Sequence, residues 1–197
     1  MQQKNLIRQQ IKNKIKHLTI QQTQTASLQM TNLLLSYLNA NQYLLNNSKH
    51  IACYWATIYE INTIEFINHL LNNNKICYLP VINQISNTLD FIRYTNQTKL
   101  IKNKFNILEP EFNLKQTIKT IDLDIIFMPL IAFDALGHRI GSGSGLYDRS
   151  LIFNRDKIAC PLIGLAYSLQ QIDVFVPDNW DINLNFVITE KKVFDFL

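Results

Sequence analysis

Four of the five glycines in this 197-residue chain, Gly137, Gly141, Gly143 and Gly145, fall within nine residues. A chain of this length ordinarily carries about 14 glycines, so backbone freedom is concentrated in one loop. The segment Gly141-Ser142-Gly143-Ser144-Gly145 lets backbone amides approach an anion closely and adopt the alternating conformations of an anion nest. It follows an apolar run ending at Pro129 and precedes a helix starting near Leu146, whose amino end adds positive potential. Arg139 and Arg149 bracket the loop with guanidinium groups suited to phosphate oxygens, and Asp148 could hold a divalent cation bridging those oxygens. These residues favour a polyphosphate, with ATP and magnesium as the natural instance. The plain alternative is a Gly/Ser-rich turn and nothing more, and the residues alone leave the two readings level. The loop is not a Walker P-loop, since Gly-Lys-Ser/Thr is absent, and its spacing is not the Gly-x-Gly-x-x-Gly of dinucleotide sites.

A second charged feature lies at the amino end. Lys4, Arg8, Lys12, Lys14, Lys16 and Lys49 all precede the first acid, Glu60, whereas the rest of the chain carries 13 cations against 15 acids. Ile7, Ile11, Ile15 and Leu18 recur at helical spacing and predict an amphipathic helix over residues 3–18. With 3.6 residues per turn, Lys4 and Arg8 fall roughly 25° and 65° from the centre of the apolar stripe. They therefore flank the buried face, either as a solvated basic stripe with snorkelling stems or as ligands for an anion.

The elements that must position these groups alternate. A helix is expected over Thr25 to Leu45, with Met30, Leu33, Leu34, Tyr37, Leu38 and Leu44 facing inward. The run HIACYWATI, the helix TIEFINHLL capped by Asn62 or Thr63, and the run KICYLPVI form a βαβ unit. TLDFIRYT alternates like a more exposed strand, LDIIFMP reads as a buried one, and a helix is expected over Leu146 to Phe153. The strands IACPLIGLAY and LNFVIT complete the pattern. This order predicts a single three-layer α/β domain over residues 1–197, with a mainly parallel central sheet and helices on both faces. Thr95 to Lys119 is the expected long surface excursion.

Composition removes other classes. Hydrophobic residues make up 47% and charged residues 17%, which excludes disordered and collagen-like chains. Cys53, Cys77 and Cys160 are an odd number at wide spacing within apolar stretches, as expected of reduced core thiols. The longest apolar stretch, Ile125 to Phe133, is far below the roughly 20 residues needed to span a bilayer, so a cytoplasmic protein is expected. His138 is expected to be exposed in its turn, and His17, His50 and His69 form no cluster with acids or thiols.

The glycine-rich stretch resembles the 5-formyltetrahydrofolate cyclo-ligase family, also called methenyltetrahydrofolate synthetases. Their hallmark is an apolar strand ending in Pro, a Phe-Asp, and then Gly-x-Arg-x-Gly-x-Gly-x-Gly-Tyr-Tyr-Asp-Arg. Here it reads Pro129, Phe133-Asp134, and Gly137-His-Arg139-Ile-Gly141-Ser-Gly143-Ser-Gly145-Leu-Tyr147-Asp148-Arg149. The resemblance extends to Lys4-x-x-x-Arg8, to Glu60-Ile61-x-Thr63, to KICYLP, and to GLAYSLQQ, VPDNWD and VITE in the family's order.

The resemblance implies ATP- and magnesium-dependent closure of 5-formyltetrahydrofolate to 5,10-methenyltetrahydrofolate. It places Lys4, Arg8, Arg139, the segment Gly141, Ser142, Gly143, Ser144, Gly145, Leu146 and Tyr147, and Arg149 at ATP, with Lys4, Arg139 and Tyr147 catalytic. Arg8, Trp55, Glu60, Gly143, Gly145, Leu146 and Tyr147 would contact the folate, and Asp148 and Asp181 would hold magnesium. Without the family, Trp55 reads as a core aromatic and Asp181 as a turn aspartate after Trp180. The family's first Tyr of Tyr-Tyr-Asp-Arg is Leu146 here, which keeps apolar contact and loses the hydroxyl and the ring. That departure motivates the alternative of a non-catalytic folate- or nucleotide-binding module of the same fold. The expected partners are the two small molecules, acting on a monomer without nucleic acid or membrane.

Overall fold

The computed structural model describes residues 2–41, 44, 48–152 and 160–197. In chain order the elements are α1 (Gln2–Lys16), α2 (Ile20–Ala40), β1 (His50–Ala52), α3 (Ile64–Asn72), β2 (Ile76–Asn83), β3 (Thr88–Tyr94), β4 (Leu100–Lys102), β5 (Leu108–Pro110), β6 (Thr117–Ile118), β7 (Ile125–Pro129), β8 (Ala132–Phe133), β9 (Arg139–Ile140), α4 (Leu146–Ser150), β10 (Leu162–Leu165), β11 (Phe186–Ile188) and β12 (Val193–Asp195). Eight strands form one sheet in the order β12-β11-β10-β7-β1-β2-β3-β6. The five central strands run parallel, while β12, β3 and β6 join antiparallel at the flanks. The βαβ unit is present, with Ile51 opposite Cys77 across β1 and β2.

Strand residues alternate strictly between two cores, because successive side chains point to opposite faces. Ile51, Ile125, Phe127, Ile163, Leu165, Phe186 and Ile188 face one side with the inner residues of α1, α2 and α3. Ala52, Ile126, Met128, Leu162 and Val187 face the other, with Leu146 and Tyr147 of α4 packed against them. Helices thus lie on both faces, but unequally: the three longer ones share one side. Phe66 of α3 meets Phe127 of β7 edge-on at 4.7 Å, fixing α3 to the sheet centre.

Several expected boundaries shift for local reasons. The second helix starts at Ile20, because Thr19 and Gln22 form a reciprocal capping box that satisfies its first free amides. It ends at Ala40, and residue 45 lies outside the described residues. Thr63 stands at the α3 N-cap but donates its hydroxyl to the Tyr54 carbonyl, and it is Asn62 Oδ1 that accepts from the Ile64 amide. β3 is more buried than its alternation suggests, since Leu89, Phe91, Ile92 and Tyr94 are all enclosed. Thr95 to Lys119 is not a plain surface excursion: it folds into the β4–β5 hairpin and β6, and Glu109 and Pro110 are buried. The helix after the glycine loop ends at Ser150, and Phe153 lies outside the described residues. No described helix is long and apolar enough to cross a membrane.

Candidate functional site

A cavity of about 730 Å³ opens beyond the carboxyl ends of β1 and β7, where open α/β sheets bind ligands. Each of the sequence's candidate site residues lines it: Lys4 and Arg8 from α1, Trp55 and Glu60 after β1, Arg139 from β9, the loop from Gly141 to Gly145, Leu146 to Arg149 in α4, and Asp181. The basic residues of α1 therefore divide. Lys4 and Arg8 turn into the cavity, while Lys12 and Lys16 sit over the Tyr59 ring at 5.0 and 5.8 Å.

The loop is held open by arginines. Gly143 and Gly145 have φ values of +112° and +65°, a region that side-chain-bearing residues rarely occupy. The Arg8 guanidinium lies over Gly143, 3.6 Å from where a Cβ would stand, and its Nε donates to the Gly141 carbonyl at 2.8 Å. Arg149 donates to the carbonyls of Ser144 (2.9 Å) and Asn87 (2.7 Å), and so braces the loop from the other side. These bonds tie the Gly141 and Ser144 carbonyls of the loop to arginines.

Arg139 is 5% exposed. Its Nη2 donates to Asp148 Oδ1 at 2.6 Å, and its guanidinium carbon lies 6.0 Å from the Tyr147 ring centre. The Arg139 Nε and the Tyr147 hydroxyl are both buried with no hydrogen-bond partner. A buried polar group without a partner costs free energy, and these two are unsatisfied donors in residues that line the cavity. Burial, reinforced by the charge of Glu60, pushes the Tyr147 phenol well above its ordinary value; it is a donor, never a phenolate, near neutral pH.

Arg139 is placed by a lock that the sequence did not reveal. Asp134 is fully buried. Its carboxylate accepts from the amides of Leu136 (2.9 Å) and His138 (3.1 Å), from His138 Nδ1 (2.8 Å) and from the Phe175 amide (3.3 Å). These bonds close the β8–β9 hairpin, where Phe133 stands opposite Arg139. His138 is accordingly not an exposed turn residue. It is partly buried, hydrogen-bonded to Asp134 and edge-on to Phe175 at 5.7 Å.

Glu60 Oε2 accepts from the Thr57 amide at 2.8 Å. Burial raises its pKa above the ordinary carboxylate range, against the opposing pull of that bond and of Lys12. Trp55 serves two ends: its ring lies 5.9 Å from Tyr94 at the margin of the core, and it also lines the cavity. Leu146 packs on the second core and also lines the cavity.

Asp148 and Asp181 come together because the Ile182 amide donates to Asp148 Oδ1 at 3.2 Å. Both are engaged by the site's own cations, Asp148 by Arg139 and Asp181 by Lys4. Among the described residues no group of three acids, histidines or cysteines could enclose a metal. Two carboxylates facing a phosphate-sized space nonetheless fit magnesium, which commonly takes one or two protein carboxylates and completes its shell with water and phosphate oxygens.

Three further cavity residues escaped the sequence reading. Asp178 binds Lys4 Nζ at 2.7 Å beside Asp181. Glu109, on the β4–β5 hairpin, accepts from Asn103 Nδ2 at 2.8 Å and reaches the cavity. Trp180, 58% exposed, stands at the cavity rim. The Asp178-x-x-Asp181 spacing was the available signal for the first; Glu109 had none.

Comparison with known proteins places the sequence and the fold. A profile described as the 5-formyltetrahydrofolate cyclo-ligase family covers residues 1–190. The Haemophilus influenzae 5-formyltetrahydrofolate cyclo-ligase is 37% identical over 182 residues, 90% of this chain and 94% of that protein. The Escherichia coli enzyme of the same name is 34% identical over 138 residues, 70% of this chain and 75% of its own. Among solved structures, the 5,10-methenyltetrahydrofolate synthetase of Aquifex aeolicus aligns with a TM-score of 0.80 at 27% identity, covering 98% of this chain and 92% of that one. A 5,10-methenyltetrahydrofolate synthetase from Mycoplasma pneumoniae gives 0.75 at 25% identity, covering 95% and 99%. A match of this extent, in sequence and in fold, means that the chain belongs to the 5-formyltetrahydrofolate cyclo-ligase family of ligases.

Proposed function

We propose that the chain converts 5-formyltetrahydrofolate and ATP to 5,10-methenyltetrahydrofolate, ADP and phosphate. The observation that carries this reading is the shared cavity in which a glycine-rich loop with three arginines adjoins an apolar and carboxylate-bearing side, Trp55, Tyr54 and Glu60. Its volume, about 730 Å³, falls in the range of small-molecule sites.

The chemistry sets what the site must do. A formamide carbon is a weak electrophile and its oxygen a poor leaving group, so direct attack by the neighbouring N10 stalls. Attack of the formyl oxygen on the γ-phosphorus releases ADP and leaves an imidate-like phosphate. N10 then bonds to the formyl carbon, phosphate departs with the former formyl oxygen, and N10 loses its proton. Little covalent chemistry falls to the protein; catalysis is alignment and charge neutralisation. In this reading the loop amides, Lys4, Arg8 and Arg139 hold the triphosphate, and the free Nε of Arg139 meets an oxygen of the transferring group. Magnesium, held by Asp148 and Asp181, would supply neutralisation of charge between the phosphates. Glu60, ionised, accepts hydrogen bonds from pterin N–H groups, and Trp55 and Leu146 contact the pterin's apolar surface. The Tyr147 hydroxyl donates to a ligand oxygen within the cavity. One chain, folded as one domain over residues 1–197, is the working unit.

The test is direct: purified protein should generate the absorbance of methenyltetrahydrofolate from 5-formyltetrahydrofolate only when ATP and magnesium are both present. Folded protein that binds the folate without forming product would instead make the chain a binding module.

A further inference from the structure

Without ligands, the site neutralises itself. Lys4 Nζ lies between the carboxylates of Asp178 (2.7 Å) and Asp181, and Arg139 holds Asp148 at 2.6 Å. Two of the cations that would bind phosphate, Lys4 and Arg139, are thus occupied by acids of the same cavity, among them both acids that would bind magnesium, while Arg8 is held by the Gly141 carbonyl and Asn5. Asp181 also accepts the Asp178 amide at 2.9 Å, which keeps the Lys4 cradle in one piece. Exposure separates the two acids: Asp178 is 37% exposed, whereas Asp181 and Lys4 are each 13% exposed.

From this arrangement we infer that Asp178 is a positioning residue that, by holding Lys4, makes the site select metal-complexed over metal-free nucleotide. The inference rests on the nucleotide reading above and names a residue to which that reading gives no role. A polyphosphate arriving alone must draw Lys4 away, leaving Asp178 and Asp181 unpaired beside several new negative charges. A divalent ion arriving alone must displace Lys4 from Asp181 and face Lys4 and Arg139 at short range. When both arrive, partners exchange pairwise: Asp181 and Asp148 turn to the metal, and Lys4 and Arg139 turn to phosphate. Asp178 is released in both routes, but beside metal-bearing phosphate it faces less net negative charge than beside the bare polyphosphate, and that difference is how it favours the complex. Burying unpaired charge is what makes the unpaired routes costly, and the two ligands are thereby coupled in binding free energy.

The experiment is calorimetric titration with ADP, in excess magnesium and in EDTA, on the full chain. Wild type should bind ADP at least about tenfold more tightly with magnesium, a coupling in the ordinary range for linked sites. In Asp178→Asn, Lys4 is freer for phosphate: affinity in EDTA should rise about three- to fivefold, the scale of a partly exposed ion pair, while affinity in magnesium changes less than twofold. A purely structural role for Asp178 would weaken both alike, and that result, or unchanged affinities, overturns the inference. As a second variant, Lys4→Met leaves Asp181 unpaired, so Mn²⁺ titrated without nucleotide, followed by its electron paramagnetic resonance signal, should bind more tightly than to wild type; equal or weaker binding overturns it. Equal wild-type affinities in magnesium and EDTA would defeat this inference alone. No ADP binding by folded wild type under either condition would defeat the nucleotide reading and the inference with it.

Discussion

Glu60, which the proposed function places at the folate, lowers the stability of the fold when ionised. Its buried carboxyl has a pKa raised above the ordinary range, so the unfolded chain releases this proton at lower pH than the folded one. Folding stability therefore falls as pH rises from the ordinary carboxylate value to the raised one, and the cost persists above it. Glu60→Gln keeps an acceptor for the Thr57 amide and removes the charge. It should raise the thermal unfolding midpoint near neutral pH while weakening 5-formyltetrahydrofolate binding. In wild type, folate affinity should drop as pH falls through the raised pKa, and in Glu60→Gln the same titration should be flat. Arg139 offers a second contrast. Lysine keeps the charge but not the forked donors that reach Asp148 and leave Nε for a ligand. Arg139→Lys should lower kcat by about 10²-fold, the scale of removing one transition-state donor, in steady-state assays on folded protein.

Among the local structures, the glycine loop is the most demanding. At Gly143 any other residue would occupy φ near +112°, at a cost of about 1–2 kcal/mol. Relieving that strain would reshape the loop where it lines the cavity. Gly143→Ala should therefore weaken ADP binding in magnesium about tenfold by calorimetry, while chemical unfolding shows a smaller change because the loop is not part of either core. The capping box of α2 behaves in the opposite way. Thr19 and Gln22 satisfy each other's backbone amides at an exposed helix start far from the cavity. Thr19→Ala should cost about 1 kcal/mol in denaturant unfolding and leave turnover unchanged.

Taken across the fold, the sheet separates two dry cores, and all three thiols fall inside them. Burial raises Cys53 well above its ordinary pKa and pushes Cys160 up to about 12, which leaves almost no reactive thiolate near neutral pH. The native protein should show no rapid reaction with a thiol-specific reagent, and three equivalents should appear on unfolding in guanidinium. One early thiol in the native state would contradict the packing described for that strand or loop.

Much of this fold was legible along the chain. Apolar runs of strand length, alternating with helical periodicity, specify parallel strands buried on both sides, and the β1–α3–β2 unit and the buried β7 follow from that alone. The position of the glycine loop at the cavity was equally readable, since its positive-φ backbone calls for glycine. Periodicity says which face of an element is buried, but not which distant segment meets it. Only the tertiary structure brought Lys4 to Asp178, 174 residues away, and carried Glu109 from an apparent surface excursion to the cavity. It also turned His138 inward onto Asp134. Those contacts depend on strand order and hairpin closure, which arise when the whole sheet assembles, so no local pattern of residues encodes them. The backbone conformation that depends on residue type within one loop was therefore written in the sequence, and the pairing of charges across the cavity was decided by the fold.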